Sequence, residues 1–222
     1  MGLQAIEGLE TGSNWKESRA MAKQHLNVNG VAVFKGLLDR AGQEAMTGDL
    51  RALAREAPFR QYTTPSGARM SARMTGAGER AWMSDRAGYR YDPAQPDGRR
   101  WPAIPETVLD VWRAVSGTDR LPDSCLVNFY GEGAKMGMHQ DKDEAELDWP
   151  VVSISLGDAA LFRVGGLTRR GQTESVWLES GDVAVLVGAA RLAYHGIDSI
   201  RFGSSTLLPD GGRINVTLRV AG

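Results

Sequence analysis

Cysteine is nearly absent. Cys125 is the only thiol in 222 residues, which excludes an intramolecular disulfide framework and a cysteine-rich zinc site. Long apolar runs are missing as well: nothing approaches the ~18 consecutive apolar residues that read as a membrane span. The N-terminal stretch MGLQAIEGLETGSNWKES has no basic start followed by an apolar segment of signal-peptide type. The expectation is a cytoplasmic chain without a membrane role. Charge of one sign is lacking too, because 26 Lys and Arg oppose 27 Asp and Glu for a net charge of -1. Nucleic acid would not be held by bulk electrostatics, and any basic surface has to be local. No internal repeat is visible. The Gly-Gly pairs at 165–166 and 211–212 do not open a helix after a strand, so a phosphate-cradling glycine loop is excluded.

The length suits one filled domain. Residues 1–27 read as an N-terminal arm. The apolar run Val31-Ala32-Val33-Phe34 within 28–35 suits a buried strand, and Leu37, Leu38, Ala41, Ala45, Leu50, Leu53 and Ala54 then recur at helical spacing up to Pro58. His25 has no ligand partner nearby in sequence and receives no role. Ile104, Val108, Leu109, Val111, Trp112 and Val115 give a second packing helix over 102–117. From residue 121 to 222 the pattern changes to short strands, at 125–130, 151–156, 160–164, 175–178, 183–187 and 214–220, separated by glycine turns. That is the signature of a sandwich or barrel.

The stretch 60–101 has a composition of its own. Arginines 60, 69, 73, 80, 86, 90, 99 and 100 face only Glu79, Asp85, Asp92 and Asp97. Tyr62, Trp82, Tyr89, Tyr91 and Trp101 are interleaved with Met70, Met74 and Met83. Arginine meets phosphate, aromatic rings stack on bases and methionine forms an adaptable apolar wall, so the composition suits a lid over an unstacked nucleobase. The plainer reading is a pair of surface hairpins with solvated arginines.

Chemistry concentrates at His139-Gln140-Asp141-Lys142-Asp143. His139 and Asp141 are two apart, so on a strand both side chains leave one face, and His195 can join them from a distant strand. Two imidazoles and one carboxylate leave positions open on a metal, as in non-haem Fe(II) oxygenases, whereas a closed zinc site needs a fourth ligand. A His-X-Asp pair alone is common by chance. Its order with the later His195 and a terminal arginine strand is what gives it weight. In that strand Arg213, Asn215, Thr217 and Arg219 share one face, and Ile214, Val216, Leu218 and Val220 share the other. Arg213 and Arg219 would be about 20 Å apart when extended, too far to grip one carboxylate together but suited to the two ends of an elongated dianion.

These residues resemble a known family. Asn128-X-Tyr130, the His139 to Glu144 stretch, Val152 to Gly157, Gly181-Asp182-Val183, Tyr194-His195-Gly196-Ile197 and Arg213-X-Asn215-X-Thr217-X-Arg219 look like the AlkB dioxygenases, with support from Met70 to Thr75 and Gly88 to Tyr91. The resemblance runs from about Gly30 to Gly222. It implies a mostly β fold with flanking helices: a double-stranded β-helix (jelly roll) core topped by an N-terminal nucleotide-recognition lid. It implies Fe(II) at His139, Asp141 and His195. It places 2-oxoglutarate, a co-substrate with O2, at Asn128, Phe129, Tyr130, Arg213, Asn215, Thr217 and Arg219. Substrate contacts fall on Met74, Trp82, Tyr89, Arg90, Tyr91, Asp143 and Arg169. Two features depart from the pattern: Leu186 stands where relatives can carry an aromatic, and the stretch 197–212 diverges.

The implied activity is oxidative demethylation of N-alkylated bases of the 1-methyladenine and 3-methylcytosine type, releasing formaldehyde, succinate and CO2. The implied partner is alkylated DNA, single strands in preference, with RNA left open and no obligate protein partner. Two other readings remain at this stage: a hydroxylase of the same fold acting on a protein or small molecule, and a non-catalytic β-barrel binding metal or nucleic acid. The first lacks a use for the arginine and aromatic stretch. The second lacks a use for Arg213, Asn215 and Arg219.

Overall fold

The run Val31–Phe34 forms strand β2 (Val31–Lys35) and is buried throughout. In the computed structural model, which describes residues 24–222, the chain reaches β2 from an edge strand, β1 (Gln24–Val28). Asn29 and Gly30 between them take φ of 46° and 90°, the positive values a two-residue hairpin turn requires and that Asn-Gly adopts at little cost. The single strand expected over 28–35 is therefore a hairpin. Residues 24–27 of the expected arm belong to it, and the remainder of the arm lies outside the described residues.

Helix α1 (Arg40–Glu56) begins where Asp39 Oδ1 accepts the Gly42 N–H at 2.8 Å and stops two residues before Pro58. It buries Met46, Leu50 and Leu53, while α2 (Glu106–Val115) buries Val108, Val111, Trp112 and Val115. Thr107 Oγ1 donates to Asp49 Oδ2 at 2.7 Å and ties the two helices together. Both helices lie where the apolar periodicity expects them, but in α1 Ala41 and Ala45 of that pattern are exposed and Met46 is buried in their stead.

The remaining strands are β3 (Arg73–Gly78), β4 (Ala81–Asp85), β5 (Gly88–Asp92), β6 (Ser124–Tyr130), β7 (Met136–His139), β8 (Val151–Gly157), β9 (Ala159–Val164), β10 (Glu174–Leu178), β11 (Val183–Leu186), β12 (His195–Arg201) and β13 (Arg213–Arg219). A major sheet has the order β1-β2-β11-β8-β13-β6-β3 and a minor sheet the order β10-β9-β12-β7, with β4-β5 a separate hairpin. Apart from the sequential pairs β1–β2, β4–β5 and β9–β10, the strands pair antiparallel with neighbours distant in sequence, the winding of a jelly roll. The last strand, β13, is inserted between β6 and β8. One of its faces supplies Ile214, Val216 and Leu218 to the apolar core, and the other lines a cavity between the sheets.

The lid region divides in two. β3 is a full member of the major sheet, paired along its length with β6, and only the segment before it and the β4–β5 hairpin stand over the cavity. Much of the arginine excess has local partners: Arg60 and Arg99 lie 3.6 and 2.8 Å from Asp97, Arg80 3.7 Å from Asp123, and Arg90 2.9 Å from Asp85. Arg73 covers the Phe129 ring at 4.8 Å. The stretch is therefore less cationic toward a ligand than its composition suggests. The divergent stretch 197–212 is also partly strand, since β12 runs to Arg201 through a register shift between Ile197 and Ser199. Among the described residues no helix is long and apolar enough to cross a membrane.

Candidate metal and co-substrate site

β7 and β12 pair so that His139 lies directly opposite His195, with ring centroids 4.5 Å apart. The two backbones approach closely because residue 196 is glycine: a Cβ there would lie 2.6 Å from the Met136 carbonyl oxygen. Asp141 does not share the strand as the same-face argument assumed. It lies just beyond β7, where its carbonyl accepts from Arg191 Nη1 at 2.7 Å. Its Oδ1 is 3.7 Å from His139 Nε2 and its Oδ2 is 3.8 Å from His195 Nε2. One ligand atom from each of the three residues falls within 4.8 Å of the others.

The tautomers fit a metal. His139 Nδ1 lies 3.0 Å from the Gly137 carbonyl and His195 Nδ1 2.9 Å from that of Ala193. A carbonyl only accepts, so each Nδ1 carries the hydrogen and each Nε2 turns its lone pair toward Asp141. Among the described residues no fourth histidine, cysteine or acid joins the cluster, and the donor set suits an open Fe(II) site better than a closed zinc site.

Burial lowers the pKa of His195 to about 4, against a smaller upward pull from Asp141. Burial would raise Asp141, but Arg219, His195 and His139 together outweigh it and hold the carboxyl well below the usual range. Both groups are thus in their metal-binding forms at neutral pH. Because unfolded His195 binds a proton that the folded protein excludes, stability rises with pH across this window. The metal-free protein is expected to lose about 3 kcal/mol as pH falls from about 6.5 to about 4. His195→Gln should flatten that slope in thermal melts, and an unaltered slope would show that other groups set the acid sensitivity.

The cavity is about 630 Å³. Arg213, Asn215, Thr217 and Arg219 all line it from β13, with Asn128 and Tyr130 from β6. Arg213 is fully buried, and Nη2 donates to Ser155 Oγ at 2.7 Å. Burial lowers its pKa to about 10, so it stays cationic. Asn215 Nδ2 donates to Ser153 Oγ at 2.7 Å, and Thr217 Oγ1 donates to Asn215 Oδ1 at 3.0 Å. At the metal end Arg219 Nη2 is 2.9 Å from Asp141 Oδ2. Among the described residues the buried donors Arg213 Nε and Arg219 Nη1 have no hydrogen-bond partner, and neither has the buried acceptor Asn128 Oδ1. Orphaned buried donors at both ends of one cavity suit a dicarboxylate with one end beside the metal.

Phe129 is a correction. Residues alternate across a strand, so with Asn128 and Tyr130 facing the cavity Phe129 turns away, toward Phe59 at 6.3 Å and Arg73.

On the substrate side, Trp82, Tyr89, Tyr91, Met74, Asp143 and Arg169 reach the cavity wall. Trp82 and Tyr89 are stacked, with centroids 5.4 Å apart, and Trp82 Nε1 donates to Asp143 Oδ2 at 2.8 Å. Arg90 does not reach the cavity, because it is folded back onto Asp85 and Asp92 of its own hairpin. Several further residues at the site carry weaker sequence signals. Ser153 and Ser155 were detectable as polar residues at period two in the apolar strand β8. Glu144 and Arg191 were not, because their pairing depends on how two distant loops meet.

Comparison with known proteins agrees with this geometry. The 2OG-Fe(II) oxygenase superfamily profile matches residues 30–219. The chain is 51% identical to the alpha-ketoglutarate-dependent dioxygenase AlkB homolog of Caulobacter vibrioides over 90% of this chain and 92% of that one. It is 42% identical to AlkB of Escherichia coli over 81% and 85% of the respective chains. The solved structure of OsALKBH1 superposes with a TM-score of 0.73 at 31% identity, covering 88% of this chain and 100% of that one. The chain therefore belongs to the AlkB family of Fe(II)- and 2-oxoglutarate-dependent dioxygenases, within the 2OG-Fe(II) oxygenase superfamily.

Proposed function

We propose that the protein removes N-methyl groups oxidatively from 1-methyladenine and 3-methylcytosine type lesions in DNA, preferring single strands and able to use RNA. The observation that carries this reading is one cavity joining the His139, Asp141 and His195 cluster to a stacked Trp82–Tyr89 pair, with Asp143 at the junction. Relatives named as DNA N(6)-methyladenine demethylase and tRNA demethylase support the substrate class.

Each group then has a task. His139, Asp141 and His195 would hold Fe(II), which with O2 and 2-oxoglutarate supplies the oxidising equivalent. Arg213 takes the distal carboxylate of the co-substrate and Arg219 lies at the end near the metal, with Asn128, Tyr130, Asn215 and Thr217 completing the wall. Trp82 and Tyr89 offer ring faces to an extruded base, and Asp143 offers a carboxylate to a cationic one. A methylated base that pairs poorly costs less of the few kcal/mol needed for extrusion, and a single strand costs less again.

Trp82→Ala should weaken binding of a methylated oligonucleotide by roughly 1 to 3 kcal/mol through lost stacking. Unchanged affinity in a fluorescence-anisotropy titration would return Trp82 to a packing role. The function itself is tested by formaldehyde release from matched methylated single-stranded DNA, duplex DNA and RNA. Release is expected from single-stranded DNA first, and none from any of the three would reject the reading.

A further inference from the structure

Glu144 belongs to neither the metal cluster nor the proposed substrate contacts, yet its carboxylate is only 1% exposed. Three groups from three parts of the chain converge on it. Tyr91 OH, on β5, donates to Oε1 at 2.7 Å. Arg219 Nε, at the end of β13, lies 3.1 Å from the same oxygen. Arg191 Nη2, from the loop before β12, lies 3.2 Å from Oε2. Burying a carboxylate this deeply costs several kcal/mol unless cations and donors surround it, and here two guanidiniums and a phenol do so.

The arrangement sets how Arg219 is presented. Its Nε lies within ion-pair distance of Glu144 without hydrogen-bond geometry and its Nη2 faces Asp141 at 2.9 Å, so Nη1, buried and with no such neighbour, is the nitrogen most open to a ligand. The hairpin is fastened to the same segment a second time, since Trp82, paired with Tyr91 across β4 and β5, donates to Asp143. Any shift of the hairpin as a substrate enters must act on Glu144 through Tyr91.

We propose that Glu144 is a positioning residue which, with Tyr91 as a strut, couples the β4–β5 hairpin to Arg219 and so makes co-substrate binding depend on how the lid is seated. The inference rests on the reading of Arg219 as a 2-oxoglutarate contact. It assigns to Tyr91 a role in co-substrate affinity in addition to any contact with the base. By reciprocity, an occupied co-substrate site stiffens the seat of the lid.

The test is an anaerobic titration of the Fe(II)-loaded protein with 2-oxoglutarate, without oligonucleotide, alongside oligonucleotide binding without 2-oxoglutarate. Tyr91→Phe keeps the ring and removes only the hydroxyl. It is expected to weaken 2-oxoglutarate binding about tenfold, the factor matching one lost hydrogen bond to a charged group, and the oligonucleotide titration reports separately any loss of contact with the base. Glu144→Gln should weaken it at least as much, and the double variant should be no weaker than Glu144→Gln alone, because both changes break one strut. Unchanged 2-oxoglutarate affinity in Tyr91→Phe, or losses that simply add in the double variant, would overturn the coupling. A wild-type protein that binds no 2-oxoglutarate would instead overturn the co-substrate assignment, and the coupling with it. Thermal melts identify a Glu144→Gln protein that fails to fold, in which case Tyr91→Phe decides alone.

Discussion

Asp141→Ala is expected to give a protein that retains its sheets but no longer consumes 2-oxoglutarate. Asp141 is the point on which the cluster converges, lying 3.7 and 3.8 Å from the two imidazoles and 2.9 Å from Arg219. Without it two imidazoles remain beside a buried guanidinium, an arrangement that disfavours a cation. Loss of a group that merely orients a metal ligand commonly weakens metal binding 10- to 100-fold, so loss of the ligand itself should exceed roughly a hundredfold. The fold should survive because Glu144 continues to balance Arg219 at 3.1 Å. Calorimetric Fe(II) titration under anaerobic conditions, with circular dichroism as the folding control, checks both parts. Wild-type metal affinity in Asp141→Ala would remove this residue from the ligand set.

Arg213→Lys is expected to raise the 2-oxoglutarate requirement roughly 10- to 100-fold, the range for one lost hydrogen bond to a charged group. Arg213 is wholly buried, with Nη2 fixed by Ser155 Oγ at 2.7 Å and Nη1 3.4 Å from the carbonyls of Leu178 and Asp158. The protein thus fixes the plane of the fork and leaves Nε unpartnered. Lysine would keep the charge but replace a planar fork with a point that Ser155 cannot orient. The effect should fall on KM for 2-oxoglutarate, with kcat far less altered, since the group sits at the opposite end of β13 from Arg219 and the metal cluster. An unchanged KM would remove Arg213 from the co-substrate site.

Much of this site could be anticipated from residue type and order. The alternation Arg213, Asn215, Thr217, Arg219 needed only period two, and the structure places all four on the cavity face. The same periodicity, applied to Asn128-Phe129-Tyr130, would have turned Phe129 away. His139 opposite His195 was not readable from spacing, because β7 is four residues long and β12 carries Gly196 and a bulge, so neither has a strand signal of its own. The Asn29-Gly30 pair is a legible two-residue hairpin signal just ahead of the apolar run Val31–Phe34. The arginine-rich stretch misled in one respect: composition counts charges but not their partners, and Arg90, next to two lid tyrosines, is held by Asp85 and Asp92. Glu144 and Arg191 stay hidden in any local pattern, since their meaning arises only where the loop after β7 meets the loop before β12.

The central claim is that the metal cluster and the stacked hairpin serve one reaction on one base. Its most direct measurement is the stoichiometry of succinate to formaldehyde with a single-stranded oligonucleotide carrying one 1-methyladenine, at increasing Fe(II). Equal amounts of the two products, both absent without iron, are predicted. Succinate formed without formaldehyde, or formaldehyde formed without iron, would contradict it.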